Sequence, residues 1–599
     1  MSNSTYKSSY TVLHVEAVKS QAPDLSIKTF FREGELHLGK VDLLIAGGGM
    51  GGVAAALAAL TVDDQISVVL TEETSWLGGQ MTSQGVSALD ENKWVESTGA
   101  CLSYKKLRQE IRDAYKRSGD LKDEYQDDPI LHPGRSWVTR VSFEPKIAVE
   151  IIERWLKPFV DQGRLNIFKN TKVLDVLSES KASVTSVSPV TTVKSALFVN
   201  FDDGQFYTVT PKYVIDATEL GDLMPMIGVP YYTGSDERAR TKEKHAPVQA
   251  DSQNVQDFTY PFVLTFQPGT DNTIDKPAGY DEFLAEEKFS FFGFKMFEEY
   301  KGPDWKDAEK EKNYLPFWTY RRLVDKDLFK GLVYPHDLSM INWDANDLRG
   351  HNIIDKSPED QRDALALAKS LSLGFLYWLQ TEAVRDEPGA DGRTKGYPEL
   401  ALDKVVMGTK DGLSKYPYIR EARRLKADTI VVESDIVVAD NDGVRAKAFA
   451  DTIGIGHYPV DIHGLQEVPD TAQETKPFQV PYGALVNKLF PNFMAGCKNI
   501  GVTHITNGAY RLHPIEWAIG TACGAAAAVA NNTNTQPGQL HLNKESLLVL
   551  QKCLIELGSP LFWSDDVAPE DEDFKEIQNL ILAGALKIEN DSLHLRGLA

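Results

Sequence analysis

The sequence predicts an α/β protein, and three observations carry that reading. A buried strand, a glycine-rich turn and an alanine-rich helix follow one another in VDLLIAGGGMGGVAAALAAL (41–60), and a second buried strand, ISVVLTE (66–72), ends on an acid. Strands, glycine turns and one long helix return at 431–535. Between these two parts the chain becomes aromatic, which predicts an inserted layer of different make-up.

Val41–Ile45 is a continuous apolar run, as in a strand covered on both faces. The helix after it begins at about Gly51, and with 66–72 this makes a β–turn–α–β unit. Leu107, Ile111 and Ala114 recur at helical spacing in 104–117. A second amphipathic helix is predicted over 145–157, with Pro145 in its first turn. Strands are predicted over 164–175 and 193–215, with a hairpin turn at Asp202–Gly204. His457, Asp461 and His463 alternate, which predicts a strand with Asp461 and His463 on one face. The last core helix starts near Pro514, and Glu516 complements its positive end. The expected organisation is an N-terminal arm (1–40), a dinucleotide-binding domain in two parts (41–230 and 431–535), an α+β substrate or cap domain (231–430) and a helical tail (536–599). The acid- and base-rich stretch 304–313 reads as solvated surface.

Of 599 residues, 42% are hydrophobic and 25% charged, so a large core is affordable and wholesale disorder is excluded. A net charge of −22 repels phosphate backbones and anionic lipid, so neither nucleic acid nor membrane is an expected partner. The four cysteines form no CxxC pair, which argues against a disulfide scaffold, an iron–sulfur cluster and a redox dithiol. With no basic and apolar leader at the start, a cytoplasmic protein is expected; an oligomer stays open.

Gly47, Gly49 and Gly52 stand at the key positions of G-x-G-x-x-G, with Gly51 beside them. Gly47 permits the tight turn, Gly49 lets backbone approach a diphosphate, and Gly52 lets helix and strand pack closely. Free N–H groups at the helix start then hold the phosphate charge. Glu72 lies 20 positions after Gly52, where a carboxylate accepts hydrogen bonds from ribose hydroxyls. The fingerprint does not separate NAD from FAD.

GGGMGGVAAALAA followed by TEETSWLGGQMTSQG resembles the FAD-dependent oxidoreductases of the glutathione-reductase-like and fumarate-reductase-like group. The resemblance implies a Rossmann-like FAD-binding domain of the glutathione-reductase type. It also implies that Gly78, Gly79 and Gln80 wrap the flavin side of FAD, with Thr82 and Ser83 near its ring. VIDATELGDL (Val214–Leu223) is similar to the group's second motif, with Glu219 where the group usually has glycine. Leu489–Ala530 is similar to its closing motif, and INWDAND (Ile341–Asp347) and YPVDIH (Tyr458–His463) add to the likeness. Residues 561–588 resemble a single surface-layer-homology repeat; as one copy they read as structural tail.

In such a site flavin does the redox step while protein groups bind substrate and move protons. The resemblance puts His504, Asn507, Tyr510, Arg511 and His513 in front of the closing helix, facing the flavin. His504 and His513 are the expected proton carriers and Arg511 the anion anchor. Tyr510, Asp461 and His463 are expected to contact substrate, with Arg321, Arg322, Trp343, Asn346 and Asp347 as further candidates; no metal is expected. The absence of a second G-x-G-x-x-G argues that electrons come from the substrate and leave to oxygen or another acceptor. The expected reaction is oxidation of a C–H bond beside N or O of a small polar molecule. The alternatives are C=C reduction or desaturation, and a non-redox or RNA-modifying FAD protein.

Glu72→Ala removes a charged acceptor for the ribose, an interaction of about 1.5–3 kcal/mol. Titration of the apoprotein with FAD should show affinity falling roughly ten- to a hundredfold, with the folding transition retained. Unchanged affinity would mean that another group holds the ribose.

Overall fold

Strand Leu36–Ala46 organises the largest sheet of the computed structural model, which describes residues 5–16, 25–182, 188–298, 316–464 and 474–596. Leu43–Ala46 are fully buried, which explains why this strand reads as an unbroken apolar run. It pairs in parallel with Val68–Thr71 on one side and Phe206–Asp216 on the other, and Leu165–Phe168 extends the parallel set. Beyond Phe206–Asp216 the pairing turns antiparallel, through Val190–Asn200 and then Thr171–Lys181. Phe206–Asp216 divides its edge: its first residues pair with Val190–Asn200, and Val214–Asp216 pair in parallel with Phe493–Ala495. The fold is therefore mixed α/β with a parallel sheet. The ends of three parallel strands, at Ala46, Asp216 and Ala495, come together at the sheet's carboxyl edge, where open α/β sheets bind ligands.

Two helices cover this edge. Met50–Val62 follows the glycine turn, and His513–Thr533 packs along it. Their contact is built from small residues. A Cβ placed on Gly520 would lie 2.1 Å from the Gly51 carbonyl oxygen, and one on Gly524 would lie 2.1 Å from that of Ala55. Helix Leu102–Arg117 and helix Pro145–Asp161, with its proline in the first turn, add further cover. Gly204 has φ +74° and donates to the Asn200 carbonyl at 2.9 Å, closing the turn expected at Asp202–Gly204.

A second, antiparallel sheet runs in the order Arg322–Val324, Leu338–Ile341, Phe262–Phe266, Leu400–Asp403. Helix Pro358–Thr381, capped by the Ser357 hydroxyl, belongs to the same apolar cluster through Leu371, Phe375 and Leu379. Strands Ser9–His14 and Ser26–Phe31 pair with each other, and Leu13 and Val15 join this cluster. The acid- and base-rich stretch 304–313 lies outside the described residues. Helices Lys544–Glu556 and Phe574–Leu582 follow the core. No helix among the described residues is long and apolar enough to cross a membrane.

One expected element is absent. The ladder of Thr452–Gly456 stops before His457, and residues 457–463 are irregular. Pro459 has no N–H to give to a sheet and restricts Tyr458 before it, so alternation in the sequence does not become a strand here.

In an exposed helix Gly→Ala stabilises by about 1 kcal/mol. At Gly524 the neighbouring carbonyl reverses the sign, and overpacking should cost about 1–3 kcal/mol. Thermal unfolding of Gly524→Ala should begin below that of the parent protein. A midpoint equal to or above the parent's would mean that the two helices have room to part.

Candidate active site

Gly47 has φ +96°, and a Cβ on it would lie 2.1 Å from the Ala217 carbonyl oxygen, so only glycine makes this turn beside the neighbouring strand. Glu72, at the end of Val68–Thr71, reaches back to the turn. Its carboxylate accepts the Gly48 N–H at 2.9 Å, the Thr74 N–H at 2.9 Å and the Thr74 hydroxyl at 2.6 Å. Burial pushes its pKa up to about 8 against the pull of those hydrogen bonds. A small cavity of about 40 Å³ opens here, lined by Gly47, Glu72, Lys172, Thr218, Glu219 and Tyr416 among others.

Gly78 and Gly79 have φ +109° and +54° and fold the chain back over this turn. Gly79 comes so close that a Cβ on it would lie 2.9 Å from the Gly49 Cα. Gln80 is buried; its Nε2 donates to the Arg511 carbonyl at 2.9 Å and to Glu516, and its Oε1 has no protein partner. Glu516 also accepts the Gly51 N–H at 3.3 Å. The Thr82 hydroxyl donates to the Leu77 carbonyl at 2.7 Å and so braces its own loop.

These residues fit a dinucleotide. A Cβ on Gly79 would meet the Gly49 backbone, the Gln80 Oε1 has no protein partner, and Glu72 sits beside a cavity with its carboxylate already oriented. Gly47, Gly49, Gly51 and Gly52 supply the turn, and Gly79 and Gln80 its lid.

A second cavity, of about 300 Å³, is rich in charge. Three guanidinium groups line it, each paired with a carboxylate: Arg321 with Asp90 at 2.9 Å, Arg420 with Asp347 at 2.9 Å, and Arg511 with Asp461 at 3.2 Å. Arg511 also donates to the Tyr418 hydroxyl at 2.9 Å. His463 lies between two carboxylates, with Nδ1 2.7 Å from Asp347 and Nε2 3.3 Å from Asp461. Burial and Arg420 work against its charge, but Asp461 and Asp347 prevail and raise its pKa to about 9. Asp344, Asp347 and His463 also bring ligand atoms within 4.8 Å of one another. Phe292, Phe294, Tyr320, Trp343, Tyr418 and Tyr458 form the aromatic walls.

The structure thus brings Arg511, Asp461 and His463 to one cavity. Three other expected site residues lie elsewhere. His504 is 1% exposed and its Nδ1 meets Glu421 at 2.7 Å, within a buried network that includes Arg424 and Asp236. His513 is fully buried with both nitrogens in use: Nδ1 accepts the Asp90 N–H at 3.1 Å and Nε2 donates to the Val86 carbonyl at 3.1 Å. Burial lowers its pKa to about 4. Tyr510 donates to the Gln479 carbonyl at 2.7 Å and stacks on Phe478. None of the three lines the charged cavity. Residues 504–510 are themselves a helix, whose buried polar groups are taken up by the fold. His457 departs from Asp461 and His463 and packs on Trp94 at 5.0 Å.

Arg321 and Trp343 line the cavity and Asp347 backs it. Arg322 instead pairs with Asp325 and Asp337, and the Asn346 side chain accepts the Trp343 N–H. Sequence reading missed Asp90, Tyr418 and Arg420. The run YPYIREARR (416–424) is the signal that was available, with three arginines among aromatics in a segment that is buried almost throughout.

The family model described as FAD dependent oxidoreductase matches residues 42–554. No curated protein matches the sequence. Among solved structures, a variant of the E. coli quinol fumarate reductase is 10% identical, with 91% of this chain and 78% of that chain covered and a TM-score of 0.30. The L-proline dehydrogenase from P. horikoshii is 17% identical over 37% of this chain and 30% of that one, with a TM-score of 0.15. The myxobacterial chondrochloren halogenase is 14% identical over 39% of this chain and 45% of that one, with a TM-score of 0.21. The chain thus spans less than half of the dehydrogenase and of the halogenase. The match over most of its length shows that the chain belongs to the FAD dependent oxidoreductase family: it is an oxidoreductase, and its cofactor is FAD.

Proposed function

We propose that the enzyme oxidises a C–H bond beside N or O of a small polar molecule held in the charged cavity of about 300 Å³. The observation that carries this reading is the convergence of Arg511, Arg420, Asp461 and His463 on that one cavity. FAD supplies the two-electron acceptor for such a step. The remaining work falls to the chain. Arg511 and Arg420 offer planar forks to an anionic group of the substrate. Asp461, the most exposed of the paired carboxylates at 41%, offers an acceptor to a hydroxyl or ammonium. The aromatic walls exclude water and restrict the orientation of the substrate. His463 holds or takes the proton at Nε2, backed through Nδ1 by Asp347. Reoxidation by oxygen or another acceptor completes the cycle.

One observation favours the alternative, C=C reduction. A histidine held charged up to about pH 9 is poised to give a proton rather than to take one.

The pH profile separates the two. Oxidation needs neutral His463, so the rate of anaerobic flavin reduction should rise with pH and level off above about 9. Reduction of a C=C bond needs the imidazolium, so turnover should fall as pH passes the same value. His463→Gln should lose roughly 10²–10⁴-fold in rate and flatten the profile. A parent-like profile in that variant would remove His463 from the proton path.

Arg511→Lys keeps the charge and loses the fork. It should raise KM roughly ten- to a hundredfold, the size of a lost charged hydrogen bond, with less effect on kcat. An unchanged KM across a panel of carboxylate substrates, scored by flavin bleaching, would rule out the anchor.

A further inference from the structure

A buried ion cluster at the glycine turn has no part in the reaction outlined above. Lys498 lies in the loop after strand Phe493–Ala495, with its side chain fully buried. Its ammonium donates to Glu219 Oε2 and lies 3.8 Å from Glu516. The other oxygen of Glu219 points into the cleft between the two glycine loops. A Cβ on Gly49 would lie 2.6 Å from Glu219 Oε1, and one on Gly79 would lie 2.7 Å from it. Glu516 approaches from the other side, accepting the Gly51 N–H. The first turn of helix Met50–Val62 therefore faces two carboxylates and one ammonium. Burial works against the charge of Lys498, but the two carboxylates outweigh it and raise its pKa.

FAD brings a diphosphate to this turn, where the glycine at position 49 exists to let it approach. The diphosphate and the Glu219 carboxylate are both anions and cannot share one cleft. Without Glu219, Lys498 would keep only Glu516, 3.8 Å away, and a buried charge so weakly paired favours a second anion. We propose that Lys498 is the cation that holds the FAD diphosphate, and that Glu219 is its placeholder in the FAD-free protein. Binding then exchanges one anion for another on the same ammonium. Glu219, whose side chain is 16% exposed, turns toward the small cavity that it already lines. Glu516 stays on the Gly51 N–H and on Gln80, so the helix start remains paired throughout. This inference rests on the cofactor and is independent of the substrate.

The test is titration of apoprotein with FAD, followed by quenching of flavin fluorescence, for the parent, Glu219→Gln and the double variant Glu219→Gln/Lys498→Met. Glu219→Gln keeps shape and hydrogen bonding but removes the competing charge. It should bind FAD roughly tenfold more tightly, the difference between a charged and a neutral hydrogen bond. The double variant should lose that gain and bind at least tenfold more weakly than Glu219→Gln. Equal or weaker binding by Glu219→Gln overturns the placeholder role, and this arm stands even where the double variant does not fold. If the double variant binds FAD as tightly as Glu219→Gln, Lys498 only props the loop and its role as diphosphate cation is overturned.

Discussion

The backbone-to-backbone packing of two helices at one sheet edge is the constraint on which the rest of the structure depends. Helix Met50–Val62 and helix His513–Thr533 touch backbone to backbone through Gly51, Ala55, Gly520 and Gly524. Larger side chains would separate them and move the glycine turn from the ends of the parallel strands. The start of helix Met50–Val62 places free N–H groups and a positive dipole end at that edge. That place needs negative charge. Glu516 provides it at the Gly51 N–H, Glu219 fills the cleft, and Lys498 balances the two carboxylates. The charge cluster at the glycine turn is thus an electrostatic consequence of close packing.

The charged cavity follows a different principle. Its three arginines, each with an aspartate partner, are held inside aromatic walls where unpaired charge would be costly. Pairing keeps the site charged yet nearly balanced, so a substrate carrying both an anionic and a polar hydrogen-bearing group can be met at both ends. His463 between Asp347 and Asp461 links this cavity to the second apolar cluster, since Asp347 follows Ala345 and precedes Leu348 there.

The glycine turn and Glu72 were legible because their chemistry is local: a strand, a tight turn, a helix and an acid lie within one short stretch of chain. The closing helix was legible from Pro514, Glu516 and its small residues. The surroundings of the histidines were not. His504 and His513 stand next to the closing helix in sequence, but Glu421, Asp90 and Val86, all remote along the chain, engage them. His463 was named on the strength of an alternation that Pro459 prevents from forming a strand; its neighbours Asp461 and Asp347 meet it through an irregular segment instead. Arg420 stands in the run YPYIREARR, but its placement comes from a fold that carries residues 416–424 between the two sheets' clusters. Glu219 was visible as a departure from the usual glycine, but the purpose of that departure required the position of Lys498.

A crystal structure of the FAD complex tests the central claim most directly, that one packed helix pair creates the cofactor cleft and opens it onto the charged cavity. The account predicts the diphosphate in the Gly49–Gly79 cleft within hydrogen-bond distance of Lys498, Glu219 displaced, and the flavin ring facing Arg511 and His463. A diphosphate bound away from that cleft, or a ring closed off from the charged cavity, would contradict it.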